Sequence, residues 1–163
     1  MSSILDFFEI NEMRFQKRPI AISADYRPMF KISQITLILF LCCRNRKASL
    51  LKLHLFSWML KSSENMEVIL KILQKNRSDI SHTWGIEPSL NRALKFGIAE
   101  KVFVVEKDNY SLSSKGESLV KKILLDSYLF RDEITFLNLI GQKVSESKVL
   151  NISKNWFGNY AQD

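Results

Sequence analysis

The stretch ALKFGIAEKVFVVEKDNYSLSSKGESLVKKILL, residues 93–125, decides the fold. It opens as the end of a helix, and Gly97 reads as the residue that stops it. Residues 102–106 are β-rich, Lys107, Asp108 and Asn109 are turn chemistry, and Tyr110, Ser111 and Leu112 alternate as a returning strand. Ser113 or Ser114 then caps a helix whose apolar face carries Leu119, Val120, Ile123 and Leu124. In that order the hairpin covers one end of a helical core and projects a few polar residues outward. The tip, Lys107 to Asn109, is nearly neutral, unlike the basic wing of a strong DNA reader.

Helix, short hairpin, then Leu-Ser-x-x-Gly into a helix is the pattern of a winged-helix module. The expected fold class is therefore mostly α with a small β-hairpin wing, a winged-helix-like α+β domain. Upstream, Pro88 fits the first turn of a helix over residues 88–96. A helix over residues 64–76 turns Met66, Val68, Ile69, Ile72 and Leu73 inward. Ser49 is the N-cap of a helix reaching about residue 61, on which His54, Ser57 and Lys61 form a narrow polar stripe along an otherwise apolar rod. Residues 31–43 read as a buried helix, with a strand as the competing reading because of the β-branched Ile and Thr. Residues 1–30 are irregular, with Arg18-Pro19 and Arg27-Pro28 each biased toward extended backbone. Downstream, Phe130, Ile134, Leu137 and Ile140 mark another amphipathic helix. The tail holds Trp156, Phe157 and Tyr160, aromatics that dock either on this domain or on a partner. The chain thus divides into an arm (1–30), a winged-helix-like domain (31–127) and a C-terminal helix with an aromatic tail (128–163).

A chain of 163 residues suits one domain, with or without extensions, and 46% hydrophobic with 25% charged residues excludes a disordered class. The longest apolar run, residues 37–43, is far short of the ~20 residues a membrane-spanning helix needs, and no membrane is expected as a partner. The first residues carry Asp6, Glu9 and Glu12 with no basic stretch, so no signal peptide is expected. Cys42 and Cys43 are adjacent with nothing else to pair with, which implies a reducing cytoplasm. The net charge of +7 is concentrated: residues 13–62 hold ten Lys and Arg against Asp25 alone. That field favours a polyanion or an acidic protein surface.

Signatures of chemistry are missing. No phosphate-cradling glycine loop occurs, the two histidines stand 28 positions apart, and the cysteines lack metal-ligand spacing. Glu146 and Lys148 with Asp132 and Glu133 supply the letters of a two-metal nuclease but no strand scaffold. No metal, no cofactor and no enzymatic activity are expected.

The segment RPMFKISQITLILFLCCRNRKASLLKLHLFSWMLKSSENMEVILKIL resembles the small middle components of bacterial ABC three-component conflict systems, the group that includes the Lamassu-type defence operons. The resemblance lies in an Arg-Pro lead-in (Arg27-Pro28), a very apolar helix, a basic turn (residues 44–47) and a Leu-rich helix with His54 and Trp58. The wing-like segment 96–124 agrees with a winged-helix assignment for that family. The resemblance covers roughly residues 18–125 and rests on hydrophobic pattern. It implies a non-catalytic accessory subunit of an antiviral SMC complex. Such a subunit bridges the heads of an SMC-like ABC ATPase and an effector nuclease subunit, with double-stranded DNA contacted through the complex.

The basic turn then has three readings: a phosphate grip, a docking point for an acidic partner, or a corner kept in water. In the first two, Arg44, Arg46 and Lys47 act with Lys52 and Lys31, while Trp156, Phe157, Tyr160 and His54 form a partner interface. The alternative is a stand-alone winged-helix DNA-binding transcriptional regulator; an antitoxin-like interaction module is a third possibility. A regulator needs a polar recognition helix, whereas residues 49–61 are apolar and residues 64–76 are balanced, with Lys71 and Lys75 against Glu64 and Glu67.

Overall fold

In the computed structural model, which describes residues 23–75 and 85–159, the apolar run forms helix α1, Pro28–Cys42. Pro28 occupies the first turn, where its missing N–H costs nothing. The strand alternative fails because Ile35, Leu37, Ile38 and Leu39 are all fully buried. Those side chains point to several sides of a helix, so α1 must be enclosed on several sides. α2 (Leu50–Met59), α4 (Pro88–Ala99), α5 (Ser114–Leu125) and α6 (Arg131–Ile140) all pack against it. α3 (Ser63–Lys75) packs on α2.

The wing is a three-stranded antiparallel sheet of order β1-β3-β2, built from β1 (Lys47–Ser49), β2 (Phe103–Glu106) and β3 (Asn109–Leu112). Lys107 and Asp108 both take positive φ, 47° and 63°, so the tip is a two-residue turn whose twist suits a hairpin. Asn109, expected in the turn, pairs instead with Glu106 as the first residue of β3. The hairpin was expected; its third strand, β1, was not. The architecture is mostly helical with a small β wing.

Ser49 and Ser113 cap as the sequence suggests: their hydroxyls accept from Lys52 N–H and Gly116 N–H, each at 3.1 Å. Gly97 does not stop α4, which runs on to Ala99. It is buried inside the helix, where a Cβ would lie 2.3 Å from the Phe103 ring, so it is a packing glycine that lets β2 close on α4. The C-terminal helices, α6 and α7 (Glu146–Asn159), share the same hydrophobic core through Phe130, Leu137, Ile140 and Val149. Position 127/128 therefore separates no two cores. Glu146 ties α7 to the start of α2, its carboxylate accepting from the Ser49 N–H (3.1 Å) and hydroxyl (2.7 Å). No helix among the described residues is long and apolar enough to cross a membrane.

Candidate interaction site

The basic turn sits between α1 and β1 and reaches the surface. Its backbone is unusual, with Asn45 and Arg46 both left-handed at φ 54° and 55°. Asn tolerates that region, whereas Arg does so at a cost of roughly 1–2 kcal/mol. The Arg46 guanidinium stacks 4.6 Å above the Phe40 ring and pairs with Glu117 of α5. Lys47 lies 3.8 Å from Glu106 across the sheet. Arg44 is exposed and has no ion-pair partner among the described residues. The turn is thus partly a clasp between α1, the wing and α5, with Arg44 exposed beside it.

Lys31 and Lys52 do not join it. Lys31 is 1% exposed, so it cannot grip an external phosphate. Its ammonium donates to the Ser57 hydroxyl (3.2 Å) and lies 3.3 Å from Glu87. Lys52 is also buried, its ammonium 5.9 Å from the Phe56 ring centroid. Both lysines sit in helices enclosed by the core, and that enclosure decides their role.

Around Lys31 the structure assembles a polar cluster between α1, α2 and the start of α4. Glu87 is its centre, accepting from Ser57 (2.5 Å) and Ser89 (2.7 Å) and also pairing with Lys61 at 3.5 Å. Burial alone would raise its carboxyl, but the two hydroxyls and the charges of Lys31 and Lys61 outweigh burial and hold it below its ordinary value. His54 is buried rather than part of a partner interface. Its Nδ1 accepts from the Glu87 N–H at 3.1 Å, which assigns the neutral ring's proton to Nε2. Nε2 has no hydrogen-bond partner within bonding geometry among the described residues. Burial pushes the imidazole below its ordinary value, opposed by the nearby Asn91 side chain and the Glu87 charge. Glu87 escaped the sequence analysis because it lies in a loop far along the chain. The signal was the stripe of His54, Ser57 and Lys61, for a polar stripe on a buried rod requires a polar partner.

Cys42 and Cys43 are buried thiols, pushed up to about 12 and about 11 chiefly by that burial. Thiols so rarely ionised are poor nucleophiles. Trp156 and Phe157 fall on α7 by backbone, but their side chains, and all of Tyr160, lie outside the described residues.

An apolar groove of about 520 Å³ lies between the start of α1, the end of α4 and α5. Met29, Ile32, Phe96, Val102 and Leu119 wall it, together with Lys122 and the ion pair of Lys115 with Glu100 at 3.3 Å. Met29 and Phe96 are 63% and 49% exposed. None of these residues stands out as a site in the sequence, since each apolar one reads as ordinary core on its own element. Compared with protein-family models, curated proteins and solved structures, the chain matches none.

Proposed function

We propose that the protein is a non-catalytic, cytoplasmic accessory subunit of an SMC-like ABC ATPase complex in anti-phage or anti-plasmid defence. It joins the ATPase heads to an effector nuclease subunit and contacts DNA beside the heads. The single observation that carries the joining role is the apolar groove, because an exposed apolar groove between helices is a surface on which an amphipathic element of a partner can dock. The basic turn adds the polyanion contact through Arg44, flanked by the clasped Arg46 and Lys47. The identity of the partners rests on the resemblance over roughly residues 18–125. In this reading the subunit couples two sites: partner docking holds the effector silent until DNA engagement alters that contact.

Affinity purification of the tagged chain from its native host, followed by mass spectrometry, tests this. Stoichiometric recovery of a large coiled-coil ATPase, lost in Phe96→Asp, is the expected result. Recovery of the chain alone with bound DNA overturns it and favours a stand-alone winged-helix regulator. One observation favours that second reading. The helix directly before the hairpin is α4, the place a helix–turn–helix gives its reading helix, and it exposes Arg92 and Lys95. From sequence, residues 49–61 and 64–76 were the candidates for that helix.

A further inference from the structure

We propose that a small cavity between the starts of α1 and α4 is an anion site that takes one phosphate group between Arg27 and Arg92. The site stands apart from the apolar groove and from the basic turn, and it rests on neither reading of the protein's function. Three observations carry it.

The first is charge left unsatisfied. Arg27, directly before α1, and Arg92, in α4, line the same cavity, and both are exposed. Neither guanidinium has a hydrogen-bond or ion-pair partner among the described residues. Two unpaired like charges around one cavity repel each other, and an anion seated between them replaces that repulsion with attraction. Arg46, at the far end of α1, differs in having Glu117 as its partner.

The second is size and shape. The cavity holds about 70 Å³. A single water needs about 10–15 Å³ of such space, so the cavity admits a group of a few non-hydrogen atoms, such as a phosphate, and not a base or a sugar. Two guanidinium forks present their donors in two planes. A flat carboxylate satisfies one fork, whereas a tetrahedral phosphate has oxygens for both.

The third is the ground behind the cavity. Lys31, 1% exposed, lines it from within, beside Ser89. Glu87 pairs with Lys31 at 3.3 Å and with Lys61 at 3.5 Å, and it accepts from Ser57 and Ser89. Among these groups two ammoniums meet one carboxylate, so the cluster stays one charge positive and does not cancel the field of the arginines. Both helices also begin at the cavity and add the positive ends of their dipoles to that field. A phosphate reaches such a site from two sources, as a free phosphate or small phosphate ester, or as part of a nucleic-acid backbone.

Titration calorimetry of the full-length chain with inorganic phosphate at low ionic strength tests the proposal, with a double-stranded oligonucleotide as the second probe. Saturable phosphate binding should weaken about tenfold or more in Arg27→Gln and in Arg92→Gln. It should hold in Lys121→Gln, which removes the same charge from an exposed position on α5. Acetate should bind more weakly than phosphate. That pattern assigns the site to free phosphate or a small ester. A second pattern assigns it to the nucleic-acid backbone. Phosphate alone then does not saturate, but each arginine removed takes about 0.9 from the slope of log DNA affinity against log salt, and Lys121→Gln takes nothing. Equal effects of all three variants overturn the proposal, because overall charge alone would then be felt. Absence of phosphate binding with an unchanged DNA slope overturns it too, as does acetate binding as tightly as phosphate. Both arginines are exposed, so the variants should keep the urea midpoint of the original chain, and lost binding is then not lost fold. An ATPase can co-purify whether or not phosphate binds here, so this inference and the proposed function fail separately.

Discussion

Two groups of cations lie at the two ends of α1, and the molecule treats them oppositely. At its start, Lys31 is enclosed and meets a carboxylate and a hydroxyl, with Glu87 and Ser57 drawn in from two other elements. At its end, Arg44 is exposed, Arg46 is half-exposed over Phe40 and beside Glu117, and Lys47 reaches Glu106 at 3.8 Å. Inside, a compensating partner is obligatory because an uncompensated buried charge costs several kcal/mol. Outside, a partner is optional, and the same ion pair is worth at most about 1 kcal/mol. The lesson is that charge is read correctly only after burial: the ammonium of Lys31 is structure, and the guanidinium of Arg44 is surface.

The largest expected effect follows from the buried end. Glu87→Ala takes a carboxylate away from the enclosed Lys31 and leaves Ser57 without its acceptor. The expected loss is about 3 kcal/mol, read as a lower urea midpoint. A loss below about 1 kcal/mol would break the comparison, because Glu87 would then behave like an exposed partner.

Acidification sharpens the same contrast. His54 has its folded-state value lowered by burial, so the unfolded chain takes up that proton first. Stability is therefore unaffected above about pH 6.5 and falls below it, until the folded value is also passed. Glu87 is lowered too, and its contribution, present above about pH 4.3, is lost as pH falls through its folded value. The decline should come in two stages. His54→Asn keeps an acceptor for the Glu87 N–H and removes the first stage only. Thermal midpoints measured at about pH 7.5 and about pH 5.5 should then differ less than in the unaltered chain. An unchanged difference would mean that His54 does not drive the first stage.

At the exposed end the effects shrink. Arg46→Ala loses a stacking contact and a half-exposed ion pair, together about 1 kcal/mol. Arg46→Gly loses the same contacts but relieves a φ of 55°, so it should be the less destabilising of the two despite glycine's greater unfolded-state freedom. The reverse order in urea unfolding would show that the left-handed backbone at Arg46 is not strained.

Much of the fold was legible where local chemistry and packing agree. The capping hydroxyls of Ser49 and Ser113, the Lys107-Asp108 turn and the all-round apolarity of α1 each act within a few residues. What escaped depends on distant neighbours. Gly97 has the composition of a helix stop and became a packing glycine because Phe103 closes over it. β1 is three residues long, too short for a periodic signal, and exists because β3 offers an edge. Lys31 and Lys52 were grouped with the basic turn on sequence proximity, yet both lie on sides of their helices that the core encloses. The groove stayed hidden because no single element carries it: Pro28, Met29 and Ile32 of α1, Phe96 of α4 and Leu119 of α5 become a concavity only when brought together.

Arg44 is where the comparison is most exposed to failure, since stability should barely register its loss. Arg44→Ala breaks no ion pair among the described residues, so its unfolding midpoint should stay within about 0.5 kcal/mol of the original. If the turn contacts phosphate, the consequence appears elsewhere. DNA affinity should fall, and the slope of log affinity against log salt should lose about 0.9, the share of one released counterion. Lys31→Met should do the opposite, changing stability while leaving the salt slope as it was. A salt slope that moved with Lys31 and not with Arg44 would invert the assignment of inside and outside. Neither moving it would remove DNA from the basic turn and leave that surface to an acidic partner.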